Sequence, residues 1–314
     1  MASNRKDTRR ADRRALKPTL DGRLEARVVL STLSAFAHAH VNAHAHGPRT
    51  PVPTQILTGA GGRKVRVGMS DGEYFDASIS NGGTIRARRL PGGRVALNVF
   101  GSTLQSELVI EPVAKPARKG LAHQYAPNYG QFTHVLNVGA INIKSGTIGK
   151  VLGYRTVDLS GPLTIPNGPD TPVDRIAFYN LLPGASISTG GDVNTLDVYN
   201  NADLSGDGTG INIGRDLNWY YSTGNLSLSN GANFVVGRDI GLAPQASKGT
   251  DPGGQGALIL GNVSIDTSSS LVIGRNLAAT FLVDGNFSGA AQVYVGGTTT
   301  GGSAGFVVVG SQSA

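Results

Sequence analysis

Beyond residue 40 the apolar positions come as short runs, "LNVGAINI", "ASISTGG", "NLSLSNG" and "FVVG" among them, each bounded by Gly, Asn, Asp or Ser. Alternation over so few residues with turn formers on both sides predicts short β-strands and tight turns. Helical periodicity is almost absent from this part of the chain.

The runs repeat. "INIGRDL" at 211–217 returns as "FVVGRDI" at 234–240 and "LVIGRNL" at 271–277, while Gly224-Asn225-Leu226 returns as Gly261-Asn262-Val263 and Gly285-Asn286-Phe287. Marked by these Gly residues, the half-spacings from 214 onward are 10, 13, 24, 13 and 11. The long interval holds "APQASKGTDPGGQG", a Pro/Gly/Ser-rich insertion near 243–256 that must loop outward, because buried loop backbone would lack hydrogen-bond partners. A rung of some twenty residues with two or three strands is the mark of a parallel β-helix, whose coils stack about 4.8 Å apart. Leu226 and Leu228, or Val263 and Ile265, then point inward, with Ser227 and Ser264 outward. Asn225, Asn262 and Asn286 form an amide ladder between coils. Gly214-Arg215-Asp216, Gly237-Arg238-Asp239 and Gly274-Arg275-Asn276 read as a ladder of solvated, charge-compensated corners.

The predicted fold is therefore all-β: a right-handed parallel β-helix over 132–314, preceded by a small β-sandwich or capping sheet over 50–113 and a linker over 114–131. The cap region carries five or six strand-like runs with turns at "SDGE", "NGG", "PGGR" and "GSTLQ". Residues 1–49 form a disordered basic segment that ends in a His/Ala-rich tract.

Composition sharpens this outline. Of 314 residues 45 are Gly, about twice the usual roughly 7%, without the three-residue period of collagen, so many tight turns are expected. There is no Cys, which excludes disulfides and thiolate metal sites. Residues 1–120 hold 20 Lys/Arg against 9 Asp/Glu, and residues 121–314 hold 8 against 12. The net charge of +7 is thus an N-terminal property.

Residues 1–27 are too charged to bury a core, and the apolar stretch "VVLSTLSAFAHA" that follows has about the length of an export-signal core, with small-residue cleavage patterns at Ala35-Phe36-Ala37 and Ala37-His38-Ala39. It is too short and too polar to span a bilayer. Arg13-Arg14 followed by "LDGRLEARVVLST", with Leu24, Glu25, Arg27, Leu30 and Ser31 in register and Val29 where Leu is usual, resembles the N-terminal segment of planctomycete extracellular proteins. "GRDL", "GNLSLSNG" and "GNVSI" are similar to the repeats of uncharacterised surface proteins of the same group, over roughly 130–314. The resemblance implies export to the cell envelope or the exterior; it carries over no catalytic residues.

Four of the six His lie in "HAHVNAHAH", where His38, His40, His44 and His46 are weak metal-ligand candidates, because a His/Ala-rich linker offers no fixed geometry. Trp219, Tyr220 and Tyr221 form an aromatic trio able to stack on sugar rings. Arg86, Arg88, Arg89 and Arg94 give the cap region a basic surface suited to acidic polysaccharide or a charged envelope. A polysaccharide lyase or glycoside hydrolase on this fold needs converging groups, for a hydrolase two carboxylates about 5 Å or 6.5–9.5 Å apart. Asp192, Asp197, Asp203, Asp207 and Asp216 are close in sequence, but four of them lie in or beside turns, where Asp is favoured for local hydrogen bonding. "SGDGTG" at 205–210 occurs once, and a Gly-rich calcium site needs stacked copies, so it reads as a turn. No phosphate loop, nucleophile triad or nucleic-acid motif stands out, and no cofactor is called for. The sequence thus points to an exported solenoid with a structural or adhesive role and polysaccharide or envelope partners, with a polysaccharide-acting enzyme or a carbohydrate-binding module as the alternatives.

Overall fold

The computed structural model describes residues 53–70, 74–113, 135–238, 240, 257–273, 280–283, 285–289, 292–295 and 306–309. Residues 1–52, with the candidate His ligands, and 114–134, with the whole linker, lie outside them.

The chain begins with six cap strands: β1 (Pro53–Thr58), β2 (Lys64–Met69), β3 (Tyr74–Ser80), β4 (Thr84–Leu90), β5 (Arg94–Phe100) and β6 (Glu107–Pro112). β1, β2, β3 and β6 pair antiparallel in that order, and β4 and β5 form a separate hairpin. The chain leaves β3 for β4 through Asn81, Gly82 and Gly83, all at positive φ (55°, 108° and 92°), which explains "NGG" at that turn.

Coils follow. β7 (Leu136–Ile143) opens the solenoid, and β8 (Lys150–Leu152), β9 (Val157–Leu159) and β10 (Pro162–Ile165) make the first three-strand turn. The next turns are β11 (Val173–Phe178), β12 (Asn180–Leu181) and β13 (Ser186–Thr189), then β14 (Val193–Val198), β15 (Ala202–Ser205) and β16 (Gly210–Ile213). β17 (Leu217–Ser222), β18 (Leu226–Ser229) and β19 (Asn233–Val236) come next, and β20 (Ala257–Ile259), β21 (Val263–Ile265) and β22 (Ser270–Ile273) lie beyond the insertion. β23 (Thr280–Val283), β24 (Phe287–Ser288), β25 (Gln292–Val295) and β26 (Phe306–Val309) complete the described chain.

Every third strand stacks in parallel, which makes a three-faced β-solenoid. The first face runs β6, β8, β11, β14, β17, β20, β23, β26. The second face runs from β9 to β24 and the third from β10 to β25. β7 spans both, its Leu136–Val138 half pairing with β9 and its Ile141–Asn142 half with β10. The cap is continuous with this stack: β6 pairs parallel with β8, and β5 with β7. Partners on the third face (Pro162, Ser186, Gly210, Asn233, Ser270) lie 24, 24, 23 and then 37 positions apart. The excess belongs mostly to residues 241–256, outside the described set.

Alternation fills the core. Leu226, Leu228, Val263 and Ile265 are at most 1% exposed, while Ser227 and Ser264 face out. Each such aliphatic side chain contributes about 1.5–3 kcal/mol when withdrawn from water. Tyr220, the largest of the fully buried side chains, lies 5.3 Å from Phe234 between ring centroids, and its neighbour in the next coil is the small Ala257.

Candidate functional site

The corners show what the repeated motifs do. Asn201, Asn225, Asn262 and Asn286 each donate a backbone N–H to the side-chain oxygen of the residue one coil earlier, Asn180, Asn201, Asn225 and Asn262, at 3.1, 2.9, 2.8 and 2.8 Å. Asn180 Nδ2 in turn donates to Asp158 Oδ1 at 2.7 Å, so an Asp occupies this column in the first coil. Burial pushes the Asp158 carboxyl up to about 6, against the hydrogen bonds from Asn180.

At the corner from third to first face, a Cβ on Gly214 would lie 2.8 Å from the Gly190 carbonyl oxygen, and one on Gly237 would overlap that of Gly214. Glycine is required here by close coil approach. The charges pair between coils: Arg215 Nε lies 3.4 Å from Asp192 Oδ1, and Arg238 Nε donates to Asp216 Oδ1 at 3.0 Å. Arg215 Nη1 also reaches the Pro169 carbonyl at 2.7 Å. Gly191 stands where later coils have Arg, so the ladder starts one coil before its sequence signature. Asp239, Gly274, Arg275 and Asn276 lie outside the described residues.

The five candidate carboxylates are spread over the molecule. Asp192 and Asp216 serve this corner, Asp203 lies on the second face, Asp207 in the turn after it, and Asp197 on the first face. Among the described residues no three His, Cys, Asp or Glu gather into a metal-binding group.

The aromatic trio divides. Trp219 and Tyr221 alternate outward on β17, but Tyr220 points into the core at 0% exposure, so it is removed from the candidate surface. On the outer surface of the first face, Tyr221 stands diagonally across from Tyr199 in the preceding coil, with Tyr179 and Tyr154 in the coils before that and Trp219 two residues along β17. Trp219 shares a row with Thr195, Arg175 and Lys150, and Tyr221 shares one with Asp197, Ala177 and Leu152. Tyr179 and Tyr199 follow β11 and β14 directly, Tyr199 N–H donating to the Phe178 carbonyl. With coils about 4.8 Å apart, the surface spans about 14 Å from first to fourth coil.

Two arginines hold part of this surface. Arg175 holds Asp197 (Nε to Oδ2, 2.7 Å) and donates from Nη2 to the Tyr199 hydroxyl at 2.9 Å. The Arg155 guanidinium lies 5.3 Å from the Tyr199 ring centroid, reaching two coils along the face. Burial pushes the Asp197 carboxyl above its ordinary value, with the Arg175 charge opposing. Burial disfavours the Arg175 cation, yet Asp197 outweighs it and raises its pKa. The Tyr179, Tyr199 and Tyr221 phenols are raised by burial, with Arg155 pulling each the other way. They stay neutral across physiological pH, as hydrogen-bonding groups beside ring faces. Tyr154 sits at φ 47°, left-handed backbone that costs a bulky residue about 1–3 kcal/mol.

The other faces differ. The second exposes Asp203, Ser264 and Ser288, and the third Thr164, Ser188 and Asn212. Sequence reading missed Tyr154, Arg155, Arg175, Tyr179 and Tyr199. The available signal was "AFYN" at 177–180 followed by "DVYN" at 197–200, a Tyr-Asn pair repeated at the coil spacing.

In the basic cluster, Arg86, Arg88 and Arg89 are exposed on β4 and Arg94 is partly exposed at the start of β5. No helix among the described residues is long and apolar enough to cross a membrane. No family model, characterised protein or solved structure matches this chain.

Proposed function

We propose that this β-solenoid is an exported protein with a structural and adhesive role, attaching to carbohydrate through the outer surface of its first face. The observation that carries this reading is the gathering of Trp219, Tyr221, Tyr199, Tyr179 and Tyr154 on one face, braced by Arg155 and Arg175, while the other faces present small polar groups. Aromatic faces cover the apolar C–H patches of a sugar ring, and neutral phenols and guanidinium N–H groups bond its hydroxyls. The Tyr199 ring, held by the Arg175 hydrogen bond and the Arg155 guanidinium, loses little freedom on binding. Export rests on the N-terminal segment: a basic run, the Leu24 to Ser31 motif and an Ala-rich stretch.

A hydrolytic role has less support, since Asp192, Asp216 and Asp197 are tied to arginines and Asp203 and Asp207 lie elsewhere. Retention of purified protein on a panel of insoluble neutral polysaccharides tests the reading, with product analysis of the supernatants. Retention without new reducing or unsaturated ends is expected. Absence of retention on every polymer, or release of cleaved oligosaccharides, contradicts it.

A further inference from the structure

We propose a second attachment surface, independent of the aromatic one: the outer side of the β4–β5 hairpin binds an anionic polysaccharide. Among the described residues elsewhere, Arg155 lies over the Tyr199 ring, and Arg66, Arg175, Arg215 and Arg238 are held by Asp76, Asp197, Asp192 and Asp216 respectively. The hairpin differs. Among the described residues Arg86 lies over the Phe100 ring at 5.3 Å, Arg94 Nε donates to the Pro91 carbonyl at 3.2 Å, and Arg88 has no carboxylate partner.

Pairing register fixes their arrangement. Arg86 faces Asn98 and Arg88 faces Ala96, so Arg86 and Arg88 share a side of the hairpin with Arg94, two residues before Ala96. Two-residue steps along a strand put Arg86 and Arg88 about 7 Å apart, and Arg94 lies diagonally about 7–8 Å from Arg88. The same row continues through Asn98 and Asn142, whose side chains bond at 3.2 Å, to the exposed Thr164. Repeated guanidinium forks match the carboxylates of a uronate chain, and the amides and hydroxyl beside them match its hydroxyl groups. Single-stranded nucleic acid is a poorer fit, because it requires open ring faces and Phe100 is covered by Arg86.

β4 pairs only with β5, and charge on such an edge also blocks further strand pairing. Edge protection alone gives no ligand retention, so binding separates the two roles. The probe is immobilised polygalacturonate at low ionic strength, with full-length protein, the triple variant Arg86→Gln, Arg88→Gln, Arg94→Gln, and a control triple in the basic N-terminal segment, Arg9→Gln, Arg10→Gln, Arg13→Gln. Wild type and control are expected to bind and to be released by salt. The hairpin variant should bind about tenfold more weakly, with an unchanged melting temperature and unchanged retention on neutral polysaccharide. No binding by wild type, a hairpin variant that binds as well as wild type, or a loss produced equally by the control triple would overturn the proposal. Failure on neutral polysaccharides alone would bear only on the aromatic surface.

Discussion

Asp158 stands where every later described coil has Asn, and it carries a cost that Asn avoids. Its carboxyl is raised to about 6 from an ordinary value of 3.8, chiefly by burial. The folded state therefore holds its proton more tightly than the unfolded chain. The contribution to stability is full below pH 4, declines as pH rises through about 6, and is lost above it. Asp158→Asn should raise stability at pH 7–8 by about 2–3 kcal/mol, with the advantage over wild type fading toward pH 4. Denaturant melts of both proteins across this range check it; a difference independent of pH would show that burial does not set this carboxyl. Single residues were unevenly legible. The inward turn of Tyr220 follows from simple alternation around Trp219 and Tyr221. Tyr154 looks like an isolated tyrosine, and Tyr179 and Tyr199 show only as a Tyr-Asn pair repeated at the coil spacing, because the proximity of the three is created by coil stacking.

Among the elements, the corners were the most readable from sequence, since each combines a residue with few alternatives and a fixed spacing. The Asn column and the Gly columns were visible as Gly-Asn and Gly-Arg-Asp. The pairing of each Arg with the Asp of the preceding coil was not, because sequence neighbours at a corner are not the pairing neighbours. Coil contact also explains why Gly237 tolerates no side chain: an added Cβ overlaps the Gly214 carbonyl oxygen. Gly237→Ala should destabilise the solenoid by about 1–3 kcal/mol, whereas alanine at Gly92, in the open hairpin turn, meets no atom within 4 Å and costs only the strain of its positive φ. Thermal melts of the two variants provide the comparison, and a melting temperature for Gly237→Ala equal to wild type would remove the close-approach explanation.

For the whole molecule, strand grammar and repeat spacing made the solenoid legible, but left the cap open between a separate sandwich and part of the stack. The continuity of β5 with β7 and of β6 with β8 depends on pairings across the 114–134 segment, for which the sequence has no repeat signature. The same continuity gives the molecule an antiparallel end with an arginine-bearing edge and three long sides of different chemistry. The central functional claim is that the aromatic side contacts sugar, and the chain carries a built-in reporter because Trp219 is its only Trp. The most direct measurement is Trp fluorescence during titration with oligosaccharides of a neutral polymer that retains the protein. A saturable change in emission is expected for wild type, with the midpoint moved about two- to tenfold higher in Tyr199→Ala, since each stacked ring contributes about 0.5–1.5 kcal/mol beyond its buried area. Saturation of binding with no change in Trp219 emission, or an unaltered midpoint in Tyr199→Ala, would contradict the account.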